Sequence, residues 1–191
     1  MYMFGGIYAD LDTECLRPTF DALRSNNISL PGKSENEFTD ESPMSHVAMF
    51  GRMGSDQTFD HHLPNAWMAA SIRHPFFLLP LEFAKAEIQK SKQQLTGPIA
   101  LAKNIRRYQV CGDTLDSIIL LPDGLIYPFN WNEGQEIRSI CSAEKDSFNE
   151  SRCKETLGVG VKGSISITYW SHTHRGKGSD DENIDRISQE K

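Results

Sequence analysis

Residues 7–12 alternate strictly between apolar and polar side chains, in the order Ile-Tyr-Ala-Asp-Leu-Asp. This two-residue period is that of a β-strand with one buried and one polar face. Gly5-Gly6 precedes the strand, and glycine accepts the positive φ of a turn or a helix end. We therefore predict a half-buried strand that carries Asp10 and Asp12 on its polar face. A strand so near the start of the sequence has no earlier element to pair with, so we expect that a preceding stretch is missing.

The rest of the chain mixes helical and strand patterns, which indicates an α/β domain. Helices are predicted over residues 18–25, from His74-Pro75 to about residue 86, and from Thr96-Gly97-Pro98 to about residue 108. Strands are predicted over residues 47–50, 117–121, 125–129 and 165–170. Residues 63–70 have weak helical character, and the polar residues 26–60 are typical of a long binding loop. We predict one domain over residues 1–176 and a disordered polar tail over residues 177–191.

Composition and cysteine spacing narrow the function classes. The formal net charge is −6 and the basic residues are scattered, which argues against nucleic-acid binding. No run of about 18 apolar residues occurs, so no segment of this sequence is predicted to span a bilayer. The four cysteines do not follow a paired zinc motif, whereas a disulfide bond between Cys141 and Cys153 is sterically ordinary. Two Asn-x-Ser tripeptides are compatible with a secretory compartment, although chance supplies such tripeptides readily.

The first predicted strand carries the most informative polar pair, Asp10 and Asp12. Residues two apart on a strand point to the same side, and these two stand at its carboxyl end, where open α/β sheets bind ligands. Two carboxylates there suit Mg²⁺ or Mn²⁺, which keep water ligands and bind phosphate oxygens. Two surface acids near a turn are the commoner meaning of such a pair. The intact apolar face of the strand favours the metal site.

Three further polar residues are candidates for the same site. His172 and His174 follow the last predicted strand, and imidazole added to carboxylates favours Mn²⁺ over Mg²⁺. For His174 a polar loop position is the favoured interpretation. Asn65 can hydrogen-bond sugar hydroxyls while Trp67 stacks on a sugar ring. The residues alone favour equally that Trp67 belongs to the core.

Residues 5–12, Gly-Gly-Ile-Tyr-Ala-Asp-Leu-Asp, resemble the DXD segment of glycosyltransferase family 32. That family includes fungal Golgi mannosyltransferases and mannosyl inositol phosphorylceramide synthases. Four later segments follow the family order: Pro-Asn-Ala-Trp-Met at 64–68, Arg-His-Pro-Phe-Phe at 73–77, Thr-Gly-Pro at 96–98 and Tyr-Pro-Phe at 127–129. Tyr-Trp-Ser-His at 169–172 completes the set, so the similarity covers residues 1–176.

The resemblance implies a GT-A fold, a nucleotide-sugar donor and Mn²⁺ or Mg²⁺ as cofactor. The transferred sugar is expected to be mannose from GDP-mannose, with retention of the anomeric configuration. By the same resemblance, Asp12 binds the metal and Asp10 binds the metal or the donor ribose. His172 is implied as a late metal ligand, and Gly6 and Asn65 as donor contacts. The acceptor is expected to be a lipid, inositol phosphorylceramide, or a glycan, and the compartment the Golgi.

The sequence also departs from the family pattern. Family members carry an N-terminal membrane anchor and then strands that hold the nucleotide base, and neither is found in this sequence. We therefore expect membrane association only through the missing anchor. A second hypothesis is a catalytically inactive fragment or pseudoenzyme of the same fold, with sheet edges and apolar surface exposed. A third is a metal-dependent hydrolase that uses Asp10, Asp12, His172 and His174.

Overall fold

The computed structural model of the chain describes residues 1–28, 46–56, 62–86, 97–111, 116–130, 132–143 and 145–170. In these residues a mixed β-sheet is flanked by helices, which confirms the predicted α/β class. The sheet contains β1 (Gly6–Ala9), β3 (Val47–Phe50), β4 (Trp67–Ala70) and β5 (Ser117–Leu120), in the spatial order β1-β4-β3-β5. A separate two-stranded sheet pairs β2 (Thr13–Cys15) with β6 (Ser166–Thr168).

The helices lie between and after these strands. They are α1 (Thr19–Ser25), α2 (Leu79–Ala86), α3 (Pro98–Cys111), α4 (Gln135–Cys141), α5 (Glu150–Leu157) and α6 (Val159–Lys162). A 3₁₀ turn, Pro75–Leu78, leads directly into α2. None of the helices in the described ranges is long and apolar enough to cross a membrane.

The strand directions define two edges of the four-stranded sheet. β4 runs antiparallel to β1 and to β3, and β3 runs parallel to β5. β1, β3 and β5 therefore point the same way and end at one edge, where β4 begins. We call this end of the sheet the carboxyl edge; it runs across the strand ends, not along an outer strand, and is marked by Ala9, Phe50, Leu120 and Trp67. The opposite edge, marked by Gly6, Val47, Ser117 and Ala70, is the amino edge.

Both faces of the sheet are covered at the inner strand β3, whose four residues are all buried. Val47 and Met49 belong to a core shared with α4, α5 and residues 121–129. Ala48 and Phe50 belong to a second core shared with the 3₁₀ turn and α3. A strand that is buried on both faces has a continuous apolar sequence, which explains why residues 47–50 do not alternate.

Several predicted elements are confirmed, because their local signals agree with their tertiary surroundings. β3 has the predicted bounds, and α1, α3 and β5 lie where helices and a strand are predicted. His74-Pro75 starts a helical segment as predicted, although its first turn is 3₁₀.

Other predictions were wrong. Residues 63–70 end in β4 rather than in a helix, and residues 125–129 form turns and bends instead of a strand. Residues 165–170 contain only the three-residue β6. The apolar side chains of the first strand are not buried: Ile7 is 51% exposed and Leu11 is fully exposed. Among the described strands β1 pairs only with β4. The alternating pattern predicts which side chains share a face, but it does not show that another layer covers that face.

A disulfide bond joins the last residue of α4, Cys141, to Cys153 in α5. Both cysteines are buried in the core, and the bond realises the pairing that the sequence allows. Asn149 caps α5 by accepting a 2.8 Å hydrogen bond from the Arg152 N–H. The disulfide bond closes a loop of 12 residues, which stabilises the fold by about 3 kcal/mol in the chain-entropy model.

His74 connects the 3₁₀ turn to the amino edge. Its Nδ1 accepts a hydrogen bond from the Phe76 N–H at 3.2 Å, so the ring proton lies on Nε2, which donates to the Ser117 carbonyl at 3.1 Å. The side chain is fully buried. Burial lowers the pKa of His74 below its ordinary value of 6.5, because a buried cation loses its hydration. His74 is thus a neutral structural histidine.

The neutral state of His74 predicts a pH dependence of stability. Because the folded-state pKa lies below the unfolded value, the contribution of His74 is present above about pH 6.5 and is lost as the pH falls. His74→Asn keeps an acceptor for Phe76 but loses the bond to Ser117, which should cost about 1–3 kcal/mol at pH 7.5. Urea unfolding between about pH 7.5 and pH 5.5 should show a smaller loss of stability in the variant than in the wild type. Parallel curves would contradict this assignment.

Candidate functional site

Asp10 and Asp12 lie in a tight turn and not on a strand. β1 ends at Ala9, and the Thr13 N–H donates to the Asp10 carbonyl at 3.0 Å, which closes a four-residue turn before β2. Aspartate is a common first residue of such turns, because its side chain and backbone both suit them. The predicted placement of both carboxylates on one strand face was therefore wrong. The turn does stand at the carboxyl edge, the end of the sheet that was predicted.

The Asp10 carboxylate has a defined neighbour. The Tyr8 hydroxyl donates a hydrogen bond to Oδ1 of Asp10 at 2.7 Å. This hydrogen bond, followed by partial burial and the Asp10 charge, raises the pKa of Tyr8. Asp10 is exposed and Asp12 is partly buried. Tyr8 therefore orients one oxygen of a solvent-facing carboxylate.

Asn65 is brought next to this turn by the pairing of β1 with β4. The register Ala9↔Trp67 continues past the strands, where the Asp10 N–H donates to the Ala66 carbonyl at 2.9 Å. Asn65, the preceding residue, is exposed at the same edge. Trp67 is only 2% exposed and belongs to the core. Of the two interpretations of Trp67, the core residue is confirmed and the sugar platform is wrong.

Tyr127 and Trp170 lie behind the same edge. Their rings are 5.6 Å apart with an interplanar angle of 31°, and Trp170 Nε1 donates to the Phe129 carbonyl at 3.1 Å. The Tyr127 hydroxyl donates to the Pro64 carbonyl at 3.4 Å, one residue before Asn65. Burial raises the pKa of Tyr127, and the nearby charge of Asp10 adds to the effect. Sequence reasoning gave neither aromatic residue a role.

The two-stranded sheet directs the end of the described chain toward the turn. Thr13 pairs with Thr168 in the antiparallel register, and their hydroxyls are 3.1 Å apart. Thr13 is also the last residue of the Asp10–Thr13 turn, so the end of β6 lies beside the end of that turn. Trp170 has a positive φ of 51°, an unusual value for a bulky residue and a mark of a constrained position. His172 and His174 lie outside the described residues.

Gly6 is not brought to the other candidates. It pairs with Ala70 at the amino edge, so four residues of strand, about 13 Å, separate it from Asp10. Its φ of 92° and the neighbouring Gly5 show a backbone role instead. A Cβ on Gly5 would lie 2.6 Å from the Ile72 nitrogen and 2.7 Å from the Ala70 carbonyl. The two glycines let the chain enter β1 close to the end of β4.

The carboxylates of Asp10 and Asp12 are of the chemical type that hard divalent cations bind. The described residues contain no group of three or more His, Cys, Asp or Glu side chains arranged to hold a metal ion. Mg²⁺ and Mn²⁺ do not require such a group, because one or two carboxylates can bind them together with water and substrate phosphates. Asp10 and Asp12 provide carboxylates of this kind at an accessible edge.

A second polar cluster lies at the amino edge. The ring atom Nδ1 of His46 is 2.7 Å from Oδ1 of Asp116, and the backbone N–H of His46 donates to the same oxygen at 3.3 Å. The rings of His46 and His74 are 6.4 Å apart. Both nitrogens of His74 are engaged by the backbone, so this cluster offers a metal at most one imidazole and one carboxylate. It ties the starts of β3 and β5 together.

Comparison of the chain with protein-family models, with curated proteins and with solved structures finds no match. The resemblance to glycosyltransferase family 32 therefore stays a prediction from the sequence motifs.

The packing behind the carboxyl edge predicts a specific sensitivity at Gly51. A Cβ at this position would lie 2.7 Å from Ile126 Cβ and 2.8 Å from Tyr127 Cε2, closer than buried side chains tolerate. Gly51→Ala should therefore displace Tyr127 and lower the free energy of unfolding by about 1–3 kcal/mol. Urea unfolding and near-ultraviolet circular dichroism measure the two effects.

Gly160→Ala is the matched control, because a Cβ on Gly160 meets nothing within 4 Å. Alanine in a helix is favoured over glycine, so this variant should be as stable as the wild type or more stable by up to about 1 kcal/mol. Equal destabilisation of the two variants would contradict the close packing of Tyr127 at Gly51.

Proposed function

We propose that this chain is the catalytic part of a metal-dependent, retaining glycosyltransferase of the GT-A type. The proposed reaction transfers a hexose, mannose from GDP-mannose, to a lipid acceptor of the inositol phosphorylceramide class or to a glycan. The proposal rests on one observation: the Asp10–Thr13 turn and Asn65 lie next to each other at the carboxyl edge. The motif resemblance supplies the reaction class.

Asp10 and Asp12 would hold the metal ion. The Tyr8 hydroxyl occupies Oδ1 of Asp10, which leaves Oδ2 for the ion or for a ribose hydroxyl. Bound Mn²⁺ or Mg²⁺ would neutralise the charge that develops on the departing nucleoside diphosphate. His172 is proposed as a further ligand from the resemblance. The β2–β6 register is compatible with this proposal, because β6 ends beside Thr13, the last residue of the turn.

Asn65 would bind the donor sugar. Its exposed amide has two donors and an acceptor, which suits the hydroxyls of a hexose. Its position is set by hydrogen bonds to the carbonyl groups on either side of it: the Asp10 N–H donates to Ala66, and the Tyr127 hydroxyl donates to Pro64. A donor whose diphosphate lies at the aspartates would therefore reach Asn65 with its sugar.

The proposed compartment is the Golgi lumen. The disulfide bond between Cys141 and Cys153 favours an oxidising environment, because such bonds are rare in proteins of a reducing cytosol.

A second candidate function is a non-catalytic domain of the same architecture. The half-exposed Ile7 and the fully exposed Leu11 favour it, because a working donor site would be expected to have its first strand covered. The two candidates differ in donor binding, which the following experiment measures.

Calorimetric titration of GDP-mannose, with and without Mn²⁺, tests the proposal. Wild-type protein should bind GDP-mannose only when Mn²⁺ is present and should prefer it to UDP-glucose. Asp12→Asn keeps the shape of the side chain but removes its charge, so affinity should fall about 10-fold or more.

Glu82→Gln is the control, because it removes the same charge from an exposed position on α2. Its affinity for GDP-mannose should equal that of the wild type. If wild-type protein binds no nucleotide sugar with Mn²⁺, the non-catalytic candidate stands. Zinc binding without nucleotide-sugar binding would support a hydrolase instead.

A further inference from the structure

Glu14 follows Asp12 by two residues and lies in β2, directly after the Asp10–Thr13 turn. Both of its carboxylate oxygens bind other side chains of the protein. Oε2 accepts a 2.7 Å hydrogen bond from the Tyr169 hydroxyl, and Oε1 forms an ion pair with the Lys154 ammonium group. Lys154 also pairs with Glu150 at 2.6 Å, one helical turn away. Both carboxylate oxygens of Glu14 therefore already bind protein groups.

These contacts outweigh the cost of partial burial. Desolvation on its own raises the pKa of Glu14, but the hydrogen bonds from Lys154 and Tyr169 together with the Lys154 charge bring it below its ordinary value. Glu14 is thus held as a carboxylate, and its charge is balanced by Lys154.

Tyr169 is fixed from three directions. Its hydroxyl donates to Glu14, its ring packs edge-on against Phe148 at 5.2 Å, and its carbonyl accepts from the Ala143 N–H at 3.1 Å. The next residue is Trp170, whose indole donates to Phe129. The segment that leaves β6 is therefore held in place up to the last described residue.

The two cysteines of the disulfide bond lie close in sequence to the residues that contact Glu14 and Tyr169. Cys153 directly precedes Lys154, which binds Glu14. Cys141 lies two residues before Ala143, which binds Tyr169. The bond thus joins α5, which carries Lys154, to the end of α4, which Ala143 follows.

We propose that Glu14 is a positioning residue, which fixes the Asp10–Thr13 turn against the segment that leaves β6. The inference rests on the proposed function, since the ligand it serves is a nucleoside diphosphate sugar with its metal ion. Glu14 acts through Tyr169 and Thr13 and does not contact the donor. Its removal loosens the turn, so the two aspartates present their oxygens less often in the geometry that a divalent ion requires.

Two variants test the positioning role in the full chain. Tyr169→Phe removes one hydroxyl, and Glu14→Gln keeps an acceptor for Tyr169 while it removes the charge that holds Lys154. Each should raise the dissociation constant for GDP-mannose with Mn²⁺ by about 10-fold. Each should also speed hydrogen exchange of the Thr13 amide, whose N–H closes the turn onto Asp10.

Ser147→Ala is the control, because it removes an exposed hydroxyl that donates to the Ser139 carbonyl away from the turn. Its donor affinity and Thr13 exchange should match the wild type. A lower melting temperature in Tyr169→Phe with unchanged affinity and unchanged Thr13 exchange would overturn the positioning role and leave a structural one. If wild-type protein binds no donor, the proposed function fails, and Thr13 exchange still decides whether Glu14 fixes the turn.

Discussion

The backbone of Asp10 connects the two sheets of this structure, and the candidate site depends on that connection. Its N–H donates to the Ala66 carbonyl and so extends the pairing of β1 with β4. Its carbonyl accepts from Thr13, which turns the chain into β2 and toward β6. One residue thus brings the entry of β4 and the exit of β6 to the same edge. The chemistry proposed here follows from what these two segments carry.

The sequence predicted elements well where local pattern and surroundings agree. The continuous apolar run at 47–50 became the central strand, and the proline-led helices start where proline is tolerated. β4 was mistaken for a helix because its Met and Ala residues favour helices, whereas hydrogen bonding between β1 and β3 decides its conformation. α4 to α6 were not predicted. The sequences of α4 and α5 are largely polar, α6 is only four residues long, and the disulfide bond that joins α4 to α5 is a tertiary constraint.

The candidate site was predictable in part. Asp10 lies at the predicted end of the sheet, and Asn65 lies near it, as the order of the motifs suggests. The two aspartates, however, lie in a turn and not on a strand. Alternation along residues 7–12 could not show whether a layer covers Ile7, because periodicity describes one strand and not its neighbours. The positions of Tyr127 and Glu14 depend on contacts with residues 63 and 140 positions away in the sequence, which no local pattern contains.

The central claim is that a divalent ion binds at the carboxyl edge and not at the histidine cluster of the amino edge. Addition of Mn²⁺ with GDP to isotope-labelled protein, followed by nuclear magnetic resonance, tests this directly, because the ion broadens signals near it. We expect selective broadening of the amide signals of Asp10 and Asp12, with the signals of His46 and Asp116 broadened much less. Broadening centred on His46 and Asp116, or no selective broadening at all, would contradict it.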